Sequence, residues 1–307
     1  MKFGEVGGMI AAASKKDAAP LLQIGSISII KRIVLIMQRA GVFPIVVVTG
    51  AEEQEVVHQL APLGVIFLQH EECEAPELFS SVKLGLSYLK DKCDKVVFSP
   101  VNTPMFSPET LKELLAHEGQ VVRPSYLHKT GHPVVIANGT IPQILRYEGE
   151  DGLRGAIRNI PDECRVEVDD EGVLMNIHDQ DQLNKHLKKH NQSMLTPGIR
   201  IRIEKETVIF EQRLKLLLLL ISDMHSVRQA CKMTGLAYGN AWIMLNRLEQ
   251  EVGYTIVERK HGGSRGGHTL LTERGKELIR AYQRFETSLR EYSQGAFDEI
   301  FKQKGLM

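Results

Sequence analysis

The sequence predicts two domains of different fold class: a three-layer α/β domain with a mainly parallel, Rossmann-like sheet, then a mainly α domain. In the first two thirds of the chain, short β-branched runs alternate with amphipathic segments of helical period, which is typical of α/β folds. In the last third, helical segments surround a tight glycine turn and precede a short hairpin. A length of 307 residues also favours two domains, because a single hydrophobic core usually stops growing near this size.

The charge of the chain is distributed unevenly. The whole sequence has 38 Lys and Arg, 38 Asp and Glu, and a net charge of +0. Residues 193–307 carry 18 basic against 13 acidic side chains, whereas residues 1–192 carry 20 against 25. A basic domain joined to an acidic one is expected when only one of them meets phosphates.

The cysteines and the apolar runs exclude several protein classes. Cys73, Cys93, Cys164 and Cys231 are scattered without C-x-x-C spacing, so neither a zinc site nor a disulfide framework is predicted. The most apolar run, Leu214 to Ile221, is too short to span a bilayer. No signal peptide is recognised at the N-terminus. We therefore expect a soluble, cytoplasmic protein.

The α/β pattern covers residues 1–192. Five runs predict strands buried on both faces, at Pro44–Thr49, Val65–Leu68, Val96–Ser99, Val121–Pro124 and Pro133–Ile136. Four amphipathic segments predict the helices between them, at Ser28–Ala40, Glu52–Leu60, Pro76–Lys90 and Ser107–His117. Ligands of such sheets bind at the carboxyl ends of the strands.

The order of motifs over residues 5–190 resembles the MobA/MocA-type nucleotidyltransferases of molybdenum-cofactor synthesis. The motifs are IAAA, PLLQIG, AGVFPIVVVTG, FSSVKLGL, VVFSPVNTP, RPSYLHKTGHPVVI and GEDGLRGAI. The resemblance implies a nucleotidyltransferase-like fold, in which a Gly-rich loop after the first strand holds a nucleotide triphosphate and an Asp holds magnesium.

This chain departs from that family at both functional positions. Ala13 stands where the family has the first glycine of the loop, residues 14–20 form a shorter loop, and Ala19 replaces a Lys. Lys15 and Lys16 supply positive charge but not the backbone geometry. Asn102 replaces the magnesium-binding Asp, and a neutral amide is a poor ligand for this cation. We interpret the domain as one that has lost turnover, and magnesium is expected only if it is active.

Several residues match the substrate side of the family and form a predicted nucleotide or cofactor-related ligand site. They are Ser81, Lys83, Gly131, His132, Asp151 and Arg154, which join Lys15, Lys16 and Asn102. Structural alternatives stay open: Ser81 caps a helix, His132 is fixed in a loop, and Asp151 and Arg154 form an i,i+3 surface pair. His186 and His190 have metal-compatible i,i+4 spacing but no third ligand, so we interpret them as a solvated helix face.

The second domain is predicted to span residues 193–307, after the polar, turn-forming residues 191–198. Residues 199–203 and 207–210 predict a hairpin, and Arg213–Ile221 predicts a helix buried on several sides. Ser226, Ala230, Gly235 and Leu236 then fit a helix-turn-helix.

The second helix of that motif predicts a DNA-reading surface. Ala241, Leu245, Leu248 and Val252 recur at helical spacing and predict one buried stripe. The opposite face carries Tyr238, Gly239, Asn240, Ile243, Asn246 and Arg247. Asn and Arg suit bidentate contacts with adenine and guanine.

A cationic hairpin follows that helix. Thr255–Glu258 and His268–Leu271 predict the strands of a wing, and the loop between them carries Arg259, Lys260 and Arg265 among four glycines. We predict that these residues and His268 contact DNA. The alternative is a solvated hairpin tip without a ligand.

Residues 197–301 resemble the DNA-binding domain of ModE-type molybdate-responsive regulators, relatives of the LysR-type winged helices. The resemblance rests on LAYGNAWIMLNRLE, VERKHGGSRGGHTLLTERG and AFDEIF. It implies a winged helix-turn-helix, double-stranded DNA as partner and a homodimer formed through the apolar helix after Thr272. The oxyanion-binding domain of that family is not expected here, and Ala237 and Gly239 depart from its recognition helix, so neither molybdate sensing nor the operator is implied.

We therefore predict a transcriptional regulator of molybdenum or molybdenum-cofactor metabolism whose first domain senses a ligand. The alternative is an active cytidylyl- or guanylyltransferase fused to a DNA-binding domain. In a third interpretation, the first domain only mediates assembly.

Overall fold

The computed structural model describes residues 2–13, 20–50, 53–70, 78–177, 180–195, 197–260 and 268–303. The chain divides into two compact units. The first comprises Lys2–Leu60 and Val65–Leu195, and the second contains the C-terminal part from Thr196 onward. The predicted domain limits, 1–192 and 193–307, stay a prediction. In the described residues, no helix is long and apolar enough to cross a membrane.

The first unit is built on a mixed sheet that is rich in parallel pairs. Its strands follow the order β10-β7-β9-β6-β1-β4-β5, with β8 paired to β7 and a small separate β2–β3 hairpin. The strands are β1 (Val6–Ala11), β2 (Gln23–Ile24), β3 (Ile27–Ser28), β4 (Ile45–Thr49), β5 (Ile66–Gln69), β6 (Lys95–Pro100), β7 (Val121–Tyr126), β8 (Lys129–Thr130), β9 (Val134–Ala137) and β10 (Glu163–Glu167). The pairs β1–β4, β1–β6, β4–β5 and β7–β10 are parallel.

β9 runs antiparallel to both of its neighbours, β6 and β7. Only a short connection through β8 separates β7 from β9, and so short a connection cannot return the chain for parallel pairing. The α/β class predicted from the alternating pattern is confirmed, and its strand runs match the observed strands to within a few residues. The five predicted runs did not include β1, β10 or the short strands β2, β3 and β8.

Seven α-helices flank this sheet in the described part of the first unit. They are α1 (Ile29–Arg39), α2 (Glu53–Leu60), α3 (Leu78–Leu89), α4 (Pro108–Ala116), α5 (Ile141–Arg146), α6 (Gly152–Arg158) and α7 (Gln180–Ser193). Short 3-10 turns lie at Asn138–Thr140 and Glu171–Val173, and a third, at Ala61–Leu63, is grouped with the second unit. Ser28 and Ser107 begin α1 and α4 by accepting hydrogen bonds from the Lys31 and Thr110 amides. Each cap satisfies a first-turn N–H that has no partner within its helix.

The expectation that His186 and His190 form a solvated helix face is wrong. Both side chains are buried, and the His186 Nδ1 lies 2.6 Å from a Glu171 carboxylate oxygen. Together with buried Leu183, they form a stripe at i, i+3 and i+7 on α7, which is the spacing of a core-facing helix side. Because α7 is mostly polar, this buried stripe was not recognised in the sequence.

Burial and, to a smaller extent, the nearby positive charge of Arg32 lower the pKa of His190 to about 3. A neutral imidazole therefore occupies the core at neutral pH. Arg32 is itself buried, and its guanidinium donates to the Ile24 carbonyl at 2.9 Å and to the Asn191 side chain at 3.0 Å. These bonds join α1 to the β2–β3 hairpin and to the end of α7.

The second unit contains two hairpins and four helices in its described residues. Its elements are β11 (Arg202–Glu204), β12 (Val208–Glu211), α8 (Gln212–Met224), α9 (Val227–Thr234), α10 (Tyr238–Val252), β13 (Val257–Lys260), β14 (His268–Leu271) and α11 (Glu273–Phe297), which continues as a π-helical turn at Asp298–Lys302. The predicted strand over 199–203 is wrong at its start, because pairing with β12 begins only at Arg202.

Helix α8 is the centre of this unit. Every side chain from Leu214 to Ile221 is buried, including Lys215. The Lys215 ammonium forms an ion pair with the buried carboxylate of Glu286 on α11, because an unpaired charge at this depth would be costly. The pair sets the position of α11 along α8.

We predict that acid destabilises the first unit. An unfolded His190 takes up a proton below about pH 6.5, whereas the folded residue does so only near pH 3. Stability therefore falls as the pH decreases between these values, by up to about 1.4 kcal/mol per pH unit for this side chain. Calorimetric melting across this range should show a pH slope that His190→Asn reduces. The matched control, His58→Asn, changes an exposed residue of α2, and an equal reduction there would contradict the assignment.

Candidate nucleic-acid interface and ligand site

Helices α9 and α10 are joined by a tight turn. Ser226 caps α9 by accepting a hydrogen bond from the Gln229 amide at 3.3 Å. Gly235 ends it in the left-handed conformation, with φ of 63°, which glycine adopts without a steric penalty. Ala230 is fully buried, and Leu236 is turned inward just before α10 begins. Two helices joined by a tight glycine turn are the arrangement expected of a helix-turn-helix.

Helix α10 has a buried side and an exposed side, as predicted from its periodicity. Ala241, Leu245 and Leu248 are at most 1% exposed, while Val252 is only partly buried. All six residues assigned to the opposite face are exposed, namely Tyr238, Gly239, Asn240, Ile243, Asn246 and Arg247. The side chain at the N-cap position, Ala237, makes no capping hydrogen bond.

Strands β13 and β14 form a hairpin at the position where the wing is predicted. They pair antiparallel from Val257 opposite Leu271 to Lys260 opposite His268. A Glu249 carboxylate oxygen accepts the amides of Ile256 and Val257 at 2.7 and 2.9 Å. This contact attaches the start of the wing to α10.

The cationic residues of the wing are described only in part. Arg259 and His268 are exposed. Arg265 lies outside the described residues, as does the side chain of Lys260.

Arg259 stacks on Trp242 of α10, a contact that the sequence reasoning missed. The guanidinium carbon lies 3.7 Å from the centroid of the indole ring. One turn earlier, Tyr238 meets Trp242 edge to face at 6.1 Å, and Arg228 of α9 lies 5.7 Å from the Tyr238 ring. The motif therefore carries two neighbouring aromatic rings with a guanidinium on each.

In the first unit, the carboxyl ends of β1 and β4 approach each other closely. A Cβ on Gly50, which follows β4, would lie 3.0 Å from the Ala13 carbonyl oxygen. A larger residue at Gly50 would therefore require the backbone at Ala13 to move by a few tenths of an ångström. Lys15 and Lys16, which belong to the loop after Ala13, lie outside the described residues.

Asn102, where the sequence predicts the loss of a metal ligand, is held by a backbone hydrogen bond. Asn102 follows β6, and its carbonyl accepts the Ile177 amide at 3.0 Å. This bond brings Asn176, which the sequence reasoning missed, beside Asn102. Amides do not fit the preference of a divalent cation for carboxylate oxygens. Among the described residues, no three His, Cys, Asp or Glu side chains are grouped as metal ligands.

Ser81 does not cap a helix, so that alternative is wrong. It lies inside α3, fully buried, and its hydroxyl has no hydrogen-bond partner among the described residues. Lys83, one turn away from Phe79, donates to the Tyr147 carbonyl at 2.6 Å and lies 4.9 Å from the Phe79 ring.

The structure brings Lys83 close to the start of α6. The Tyr147 carbonyl accepts the hydrogen bond from Lys83, and the Tyr147 side chain lies against the first turn of α6. A Cβ on Gly155, in that turn, would lie 2.1 Å from the Tyr147 hydroxyl oxygen.

The predicted i,i+3 pair between Asp151 and Arg154 is also wrong. Asp151 pairs with Arg158 at 2.6 Å, one further turn along the chain, and Arg154 is exposed.

The turn at Gly131 and His132 is held by backbone hydrogen bonds. Gly131 donates to the Pro124 carbonyl and His132 to the Val173 carbonyl, both at 2.9 Å. Burial lowers the pKa of His132 to about 4, with a smaller contribution from the charge of Arg123. Its Nδ1 is buried without a hydrogen-bond partner among the described residues, and its ring meets Phe98 edge to face.

Residues 16–165 match the family model of the MobA-like NTP transferase domain. Solved nucleotidyltransferase folds agree with this result. A nucleotidyl transferase from Methanothermobacter is 18% identical, with a TM-score of 0.51 over 60% of this chain and 98% of that one. Rv0371c from Mycobacterium tuberculosis is 17% identical, with a TM-score of 0.51 over 60% of this chain and all of that one. At these identities the likeness shows the fold of the MobA-like domain alone.

The C-terminal region of the chain is similar to ModE proteins. The Escherichia coli protein, described as a DNA-binding transcriptional dual regulator, is 36% identical over 75 residues, which cover 24% of this chain and 27% of that protein. ModE of Yersinia pestis is 34% identical over 80 residues, covering 26% and 29%. The chain thus spans little more than a quarter of the length of these relatives.

We predict that Gly131 is needed for folding of the MobA-like domain. A Cβ at this position would lie 2.2 Å from the Val173 carbonyl oxygen, so Gly131→Ala must displace backbone. We expect a loss of stability of about 3 kcal/mol, the upper end for overpacking, measured by urea unfolding of the full chain. Gly139→Ala is the control, because a Cβ there meets nothing within 4 Å. An unchanged midpoint for Gly131→Ala would show that the turn yields and would favour a role in ligand binding alone.

Proposed function

We propose that this protein is a DNA-binding transcriptional regulator that reads duplex DNA with α10 and the wing. The observation that carries the proposal is the exposed side of α10, where polar side chains stand on a helix whose opposite side is buried. A recognition helix needs this division, because its outer side enters the major groove while its inner side holds it to the domain. The similarity of this region to ModE supports the proposal.

The residue types on these surfaces divide between two kinds of contact. Asn240, Asn246 and Arg247 suit hydrogen bonds with base edges, and Tyr238 lies beside them at the start of the helix. Arg259, Lys260, Arg265 and His268 suit phosphate contacts, which provide affinity without sequence information. The uncapped N-terminus of α10 adds backbone amides that favour a phosphate.

We further propose that the MobA-like domain is a ligand sensor for a nucleotide or a molybdenum-cofactor-related compound. Lys83, Asp151 and Arg154 are candidates on one side, and Asn102, Gly131 and His132 on another. The amides at Asn102 and Asn176 argue against metal-assisted transfer, whereas a family that binds nucleotides supports retained binding. A ligand would act on DNA binding through its differential affinity for two states of the protein.

A homodimer is the proposed assembly. The exposed part of α11 and its extension carries Phe285 and Tyr292, 48% and 77% exposed, with Ile300 at 47%. A second copy covering these side chains would place two recognition helices on one side of a duplex, as dimeric helix-turn-helix proteins do. Measurement of the mass in solution tests this assembly.

An active cytidylyl- or guanylyltransferase is the second candidate, and the family match over residues 16–165 favours it. The experiment that separates it from a sensor is incubation of the full chain with CTP or GTP, magnesium and a molybdopterin acceptor. Release of pyrophosphate would establish the enzyme. Thermal shifts with nucleotides or pterins, but no turnover, would support the sensor. No response to these or to molybdate would favour a domain that only mediates assembly.

We predict that Arg247→Ala relaxes the sequence preference of the protein. The full chain should select a preferred site from a random duplex library, and loss of a bidentate arginine contact costs about 1–3 kcal/mol of discrimination at the base it reads. The measurement is the affinity for the selected site and for single-base variants of it.

Lys129→Ala provides the control for net charge, since Lys129 is an exposed cation of the first unit. It should leave the preference unchanged. A selected site that Arg247→Ala binds with the same preference as wild type would contradict the role of this residue. Failure of the wild type to retain any duplex in low salt would contradict the regulator itself.

A further inference from the structure

Trp242 lies on α10 between the buried stripe and the exposed face and belongs to neither. It is partly exposed, and one surface of its ring is covered by the Arg259 guanidinium at 3.7 Å. This distance corresponds to van der Waals contact between a planar cation and an aromatic face. The contact joins the recognition helix to β13, the strand that leads into the wing.

The stack leaves the hydrogen-bonding edge of Arg259 available. The N–H donors of a guanidinium lie in its plane, so an indole over its face does not occupy them. Among the described residues, no carboxylate lies within 4.0 Å of Arg259 to form an ion pair. The side chain is exposed, and so its donors face solvent, where a phosphate can accept them.

A stacked arginine also loses less conformational freedom on binding. A free, exposed arginine samples many rotamers, and immobilising it costs affinity. An arginine already held on an indole has lost part of this conformational entropy before the ligand binds. Its guanidinium is also oriented for planar, bidentate hydrogen bonds with a phosphate.

We propose that Trp242 is a positioning residue that holds the Arg259 guanidinium ready for a DNA phosphate beside the recognition helix. The inference rests on the proposed function, and it adds a role for a residue that does not itself read a base. Lysine could not replace Arg259, because an ammonium lacks the planar face and the paired donors.

The stack can be tested first without DNA, because Trp242 is the only tryptophan of the chain. Arg259→Ala should change the intensity or wavelength of indole emission in the full-length protein, since the cation leaves the ring. Arg274→Ala is the control, as the Arg274 guanidinium lies 5.0 Å from the ring of Tyr254 instead. Identical emission of wild type and Arg259→Ala would overturn the stack.

The second test measures binding to a mixed-sequence duplex at several salt concentrations. Trp242→Leu should weaken binding about two- to fivefold, the range expected for a cation–π contact at an exposed site. It should also reduce the salt slope towards that of Arg259→Ala, which lacks one phosphate contact and loses about 0.9 in slope. Trp242→Phe keeps an aromatic face and should restore most of both quantities.

The double variant Trp242→Leu with Arg259→Ala decides whether the two residues act together. It should bind no more weakly than Arg259→Ala alone, because the tryptophan acts through the arginine. Additive losses, or an unchanged salt slope in Trp242→Leu, would overturn the positioning role while the regulator stands. A wild-type protein that retains no duplex would overturn both proposals. Circular dichroism melting confirms that each variant is folded.

Discussion

Burial of Ala241, Leu245 and Leu248 on one side of α10 is the constraint on which the proposed interface depends. Once these side chains are enclosed by the second unit, the rotation of the helix is set, and the polar side with Asn240 and Arg247 must face outward. Apolar burial thus determines which residues the proposed interface presents, although the buried residues are not part of that interface. A helix without this asymmetry would have no preferred side to present.

The second unit uses its charges in two opposite ways. Lys215 is buried and paired with Glu286 between α8 and α11, and removal of either partner would leave an uncompensated charge in the core. Arg259 is exposed, stacked on Trp242, and free of carboxylates among the described residues. The buried cation keeps the helices in register, whereas the exposed one remains available for an anion outside the protein. The protein environment of each residue, more than its type, separates structure from recognition.

The MobA-like domain shows how a fold can persist while its proposed chemistry changes. Its parallel strands still bring Ala13, Gly50 and Asn102 to the carboxyl edge where ligands of such sheets bind. Amides at Asn102 and Asn176 weaken the case for a metal there, and Gly131 and His132 are held by the backbone of the domain itself. These features are the basis for the proposal that the domain binds a ligand without transferring a nucleotide. Function in such a fold depends on particular side chains, which the architecture does not specify.

The sequence by itself determined the α/β class, the two helices joined by the Gly235 turn, strands β13 and β14, and the exposed side of α10, because each follows from local periodicity and turn chemistry. Tertiary structure alone decided that His186 and His190 are buried, that Asp151 pairs with Arg158, and that Arg259 lies on Trp242. These outcomes depend on which segments pack together or how a turn orients its side chains, and spacing along the chain does not report either. His186 entered the core because its partner, Glu171, lies on another element.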